Sequence, residues 1–170
     1  MLRFARAVDA LNDGLGRLCG WLSAAMVALM FALVVARYAF GAGSLAAQEA
    51  VLWLHAIVFL LGAGFALRHD RHVRVDVFAQ RLSERARARI ELLGAVLLLL
   101  PFCVFMLWIS LDYVAASWSL RESSREPGGL PGVYLLKTLI PIAAATLALQ
   151  GIAQALRAVL ALRARPDAAA

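Results

Sequence analysis

The chain has 170 residues, 63% of them apolar, with mean hydropathy +0.79 and a formal net charge of +6. Ordinary soluble domains are roughly 45–50% apolar, so the excess excludes a standard globular fold and calls for an apolar solvent. The positive charge does not indicate nucleic acid, because the arginines gather at the ends of apolar runs, as in membrane proteins.

Phe4, Val8, Leu11, Leu15 and Leu18 fall in one stripe at about 100° per residue, with Arg3, Arg6, Asp9, Asp13 and Arg17 opposite. That pattern fits either an amphipathic helix lying in the membrane interface or a cytoplasmic extension of the first span. Residues 18–36 carry no charge. This is close to the roughly 20 residues needed to cross about 30 Å and longer than a signal-peptide core. A retained span is expected over about residues 18–40, ending in Arg37-Tyr38 and the turn Gly41-Ala42-Gly43-Ser44.

Gln48-Glu49 opens the second span, about 49–67, where an acid suits the positive end of the helix dipole. Trp53 sits at the depth of the aromatic belt. His55 is the one histidine inside a span. It is expected about two turns from the interface, with its hydrogen bonds satisfied rather than as a proton site.

The central loop, 68–89, holds seven of the seventeen Lys and Arg residues. Each would cost about 2.5–3.5 kcal/mol near the centre of a membrane helix, so the loop stays in water. Val75, Phe78, Ala79 and Leu82 have the spacing of a short helix lying on the membrane surface. Ser83 is a candidate N-cap for a helix running from Glu84 to about Trp118 and carrying the third span, about 90–112. Pro101 is placed to kink it. The loop at 113–132 is rich in Gly, Pro and mixed charge, and Lys137 and Pro141 fall early in the fourth span, about 133–156.

Together these form one all-α membrane domain of four transmembrane helices, with amphipathic interfacial helices before the first span and in the central loop. Both termini and the central loop carry thirteen Lys and Arg residues against four in the other two loops. The positive-inside rule then puts both termini in the cytoplasm.

Absences narrow the function. No acid lies at mid-depth to couple protons, and no pair of histidines faces across the bundle to hold a haem. Cys19 and Cys103 lack near partners, so they read as small packing residues rather than a redox or metal pair. There is no Gly-rich phosphate loop.

Several stretches resemble the small four-helix membrane subunit (Q subunit) of tripartite ATP-independent periplasmic (TRAP) transporters. They are Arg37-Tyr38-Ala39-Phe40, Gln48-Glu49, the run Arg68-His69-Asp70-Arg71-His72-Val73-Arg74-Val75-Asp76, and Glu126-Pro127-Gly128-Gly129-Leu130-Pro131 with Lys137 and Ile140-Pro141. Ala47 and Gln48 stand where the family more often has an aromatic and a first acid.

The resemblance implies a non-catalytic subunit in the bacterial inner membrane that packs against a large permease and anchors it. A periplasmic binding protein delivers the solute, an organic acid or similar small polar molecule. Sodium is expected on the large subunit, with no cofactor or metal here. Arg37, Tyr38, Glu49, Trp53, His72, Arg74 and Asp76 are the candidate contacts for that partner or for phospholipids. Glu49 has two readings: it meets a basic group on the partner, or it caps its own helix. Gly62, Gly64 and Ala143–Ala145 allow close helix approach, either to a partner or within the chain. The alternatives are a self-sufficient small transporter or exporter with His55 titrating, and a quinone- or haem-linked anchor of a respiratory enzyme.

Overall fold

The computed structural model describes residues 2–69 and 83–163, and every structural statement below concerns them. Four helices follow one another: α1 (Leu2–Phe40), α2 (Leu45–Arg68), α3 (Glu84–Ser119) and α4 (Val133–Arg163). All four are long and apolar enough to cross a membrane. Side-chain contacts at the two ends show them antiparallel in succession. One end of the bundle therefore carries the N-terminus of α1 and the C-terminus of α4, and the other carries the α1–α2 and α3–α4 loops.

Side-chain caps define two helix starts. The Ser44 hydroxyl accepts from the Ala47 N–H at 3.3 Å and opens α2 one turn before the expected Gln48-Glu49. Ser83 does the same for Ala86 at the start of α3, at 3.3 Å, as its position in the sequence suggests. Each satisfies a backbone donor that the first helical turn leaves free.

Pro101 does not break α3. Proline has no N–H to donate, and its ring crowds the carbonyl four residues back. The turn just before it, Ala95–Leu99, is widened to π geometry, with the Leu100 N–H reaching the Ala95 carbonyl. This wider turn makes room for the ring, and the helix runs on to Ser119. Pro141 likewise lies inside α4 without ending it.

Helix α4 is the axis of the bundle, packing against α1, α2 and α3, whereas α1 also lies along α2. Its inward face is made of small or neutral side chains, including Ala143, Ala144, Thr146, Gly151, Ala153 and Ala158. Small residues let backbones approach where lipid supplies no hydrophobic drive. The large apolar side chains point outward instead, Trp21, Phe31, Leu98 and Trp108 among them. Both cysteines are buried and free.

The segment before the first span continues α1 without a break, so it is not a separate helix. Its buried face is Ala5, Val8 and Asn12, while Phe4, Leu11 and Leu18 from the apolar stripe are exposed. The reason is the partner: a face of small and polar groups can dock closely on α4, and an apolar face can stay in hydrocarbon. The expected surface helix at Val75–Leu82 lies outside the described residues, as do His72, Arg74 and Asp76.

Polar clamps and candidate contact sites

At the end bearing the termini, three helices are tied by polar side chains. Asp9 on α1 accepts from the Arg157 guanidinium of α4 at 2.5 and 2.6 Å. Arg68, at the end of α2, lies 3.6 Å from Asp9 and pairs with Asp13, which His69 also meets at 3.0 Å. Deeper in, the Asn12 amide donates to Gln150 Oε1 at 2.8 Å, and both residues have no exposed surface. Gln154 donates to the Leu67 carbonyl at 3.0 Å, fastening α4 to α2. Such pairing lowers the cost of burying polar groups in an apolar setting.

The fit here is close. A Cβ added to Gly64 would overlap Asn12 Oδ1, and one added to Gly16 would overlap the Phe65 ring. With Ala143 and Ala144 also buried against the bundle, these small residues serve packing within the chain.

At the other end, Glu49 does not cap its own helix. Its carboxylate accepts from the Ser124 hydroxyl and from the Leu130 N–H at 2.6 Å, so it holds the α3–α4 loop. Gly128 (φ 81°) and Gly132 (φ 93°) provide the left-handed turns that bring this loop back over α2. Trp53 is half-buried beside the Gly132 turn. Glu122 completes the clamp: it accepts from Lys137 and, at 2.6 Å, from the Ser117 hydroxyl. These two donors hold the Glu122 carboxyl below the usual carboxylate range, the lysine contributing most. Lys137 Nζ sits 4.0 Å from the centroid of the Tyr113 ring, and Trp118 donates to Thr138 at 2.9 Å.

Arg37 and Tyr38 do not join these clamps. They line a groove of about 380 Å³ between the end of α1 and the start of α2 with Met30, Leu33, Val34, Gln48, Val51 and Leu52. His55 departs from expectation in pairing, with no hydrogen bond among the described residues. Because α2 begins at Leu45, His55 lies nearly three turns inside the helix. It is exposed on the outside of the bundle, stacked on Phe59 at 6.4 Å between ring centroids.

Among the described residues no group of three or more His, Cys, Asp or Glu side chains is placed to hold a metal ion. What the arrangement does chemically is pair charge with charge at both ends of an apolar bundle. Sequence periodicity missed Asp9, Asn12, Gln150, Arg157 and Glu122. The one available signal was that Asn12 and Gln150 are polar residues interrupting apolar or small-residue helix faces.

The sequence model of the DctQ component of tripartite ATP-independent periplasmic transporters matches residues 26–161. The chain belongs to that family. A curated relative from Vibrio cholerae, the C4-dicarboxylate TRAP transporter small permease protein DctQ, is 33% identical over 96 residues. That alignment covers 56% of this chain and 41% of the relative, so the chain spans less than half the length of the protein it matches. No solved structure matches it. The family match takes in the groove residues, both Glu49 and Glu122, and Gln150 and Arg157, but begins after Asp9 and Asn12.

Proposed function

We propose that this DctQ-family chain is the small permease subunit of a sodium-coupled TRAP solute transporter, packing against the large transport subunit and anchoring it. The observation that carries the reading is the family match across a bundle whose ion pairs sit at its two ends. A pump needs titratable groups facing an internal path; here the mid-span histidine points outward. The ion pairs join helices of the same chain, which suits a rigid scaffold. The self-sufficient transporter and the haem-linked anchor both need inward-facing groups at mid-depth.

The remaining parts of the reading rest on sequence and relatedness. The charge asymmetry of thirteen against four sets both termini in the cytoplasm, in the bacterial inner membrane. Sodium and solute are carried by the large subunit, and a periplasmic binding protein hands over the solute. The name of the Vibrio cholerae relative favours a small organic acid as that solute.

Co-purification tests the reading. The chain alone is tagged and co-expressed with the large permease of its own gene cluster. The two should elute together in constant ratio through size exclusion. Elution of this chain without the permease, under conditions where both are folded in the membrane, contradicts the proposal.

A further inference from the structure

Helix α3 changes character along its length. Its first eleven residues, Glu84–Gly94, include five charged side chains, whereas the twenty from Leu100 to Ser119 include only Asp112. The π turn Ala95–Leu99 lies between the two parts.

Three features weaken the helix at this boundary. Gly94 is the poorest helix former after proline. The π turn departs from the regular ladder of hydrogen bonds, as such turns do mostly where a helix has a special task. Pro101 brings no N–H, so the ladder is one donor short. Packing calls for neither Gly94 nor Pro101. A Cβ at Gly94 would meet nothing within 4 Å, and Pro101 is exposed. Gly151 differs, because a Cβ there would come 2.7 Å from Leu99 Cδ2. The Leu99 side chain therefore rests directly on the α4 backbone, at the end of the π turn.

The parts on either side are held differently. Beyond the turn, Cys103, Ser110 and Ser117 are buried at intervals of seven, and Trp118 donates to Thr138 of α4. Before it, the arm Glu84–Leu93 buries only Ala88. The arm also has its own internal supports: the Ser83 hydroxyl caps its first turn, and Arg87 pairs with Glu91 at 3.3 Å. It can thus move as one helical piece.

We infer that residues 94–101 form a hinge about which the charged arm swings, with Leu99 on Gly151 as the pivot, while Leu100–Ser119 stays fixed on α4. The swing carries Arg85, Arg87 and Arg89 together. The inference concerns this chain alone and does not depend on its role in transport.

Distance measurement by double electron–electron resonance tests it, on the full chain in lipid with Cys19 and Cys103 changed to alanine. Spin labels replace Arg85 on the arm or Ile109 on the fixed part, each paired with a label at Ile152 of α4; all three positions are exposed. The distribution from 85 to 152 should be broad and that from 109 to 152 narrow. Restoring a regular helix with Gly94→Ala and Pro101→Ala should narrow the first about twofold and leave the second unchanged, because the causes of a kink are removed. Gly94→Ala alone, which meets no neighbour, should narrow it part of the way. An arm distribution as narrow as that of the fixed part overturns the inference. So does a broad one that neither variant narrows, since the motion then arises outside residues 94–101.

Discussion

Asn12 and Gln150 lie 138 residues apart in sequence, yet their side-chain amides meet at 2.8 Å with no surface exposed. The bond pairs Asn12 Nδ2 with Gln150 Oε1, while Asn12 Oδ1 stays buried without a partner among the described residues. Removing Asn12 leaves Gln150 Oε1 buried without its donor. Asn12→Leu or Gln150→Leu should therefore cost about 1–3 kcal/mol, read as a lower melting temperature of the purified chain in detergent. The double variant should recover part of that loss, because it removes both polar groups together.

Close approach of α1 and α2 makes two glycines unequal. A Cβ at Gly64 would overlap Asn12 Oδ1, whereas at Gly62 the nearest side-chain atom is Cys19 Sγ at 3.9 Å. Gly64→Ala should destabilise by about 1–3 kcal/mol, and Gly62→Ala should fall within about 0.5 kcal/mol of the original chain. Thermal unfolding of the two variants side by side checks the contrast.

Glu49 holds the α3–α4 loop through Ser124 and the Leu130 N–H. Glu49→Gln keeps the shape but replaces one of the two acceptor oxygens by an NH2 that cannot accept. Backbone hydrogen exchange across residues 121–132 should accelerate severalfold in that variant, and less in Ser124→Ala. Exchange in the middle of α4 should not change, since the clamp lies at one end of the bundle.

How far these relationships can be read from sequence depends on their range. Four spans, the Ser83 cap and the long third helix follow from local hydrophobicity and capping chemistry, and the structure agrees. The start of α2 was displaced by one turn because Ser44 looked like part of a glycine-rich turn; its hydroxyl in fact caps the helix. The first 18 residues showed a clear apolar stripe, but periodicity cannot say which side meets protein. In a membrane the rule of soluble folds is relaxed, so Ala5, Val8 and Asn12 go inward while Phe4 and Leu11 stay outside. Pairs such as Asp9 with Arg157, or Glu49 with Leu130, join distant segments, and no local pattern encodes them.

Glu122 makes the fold sensitive to acid. Its carboxyl is held below the usual range, first by Lys137 and then by Ser117. A depressed native value means its contribution is fully present above the unfolded glutamate value and is lost as pH falls through the native one. Melting temperature should therefore drop on acidification below about pH 4.5, the ordinary value for the side chain. Glu122→Gln should start from a lower melting temperature at neutral pH and show a shallower acid limb. A pH series of melting curves on both chains measures this.

The central claim, that this chain supports a transporter without carrying the solute itself, is tested most directly by reconstitution. Proteoliposomes should receive this chain, the large permease of its gene cluster, or both, with the periplasmic binding protein, labelled solute and a sodium gradient. The account predicts uptake only when both membrane chains are present, and none from this chain alone. Sodium-driven uptake by the large permease at full rate without this chain, or by this chain without the permease, would contradict it.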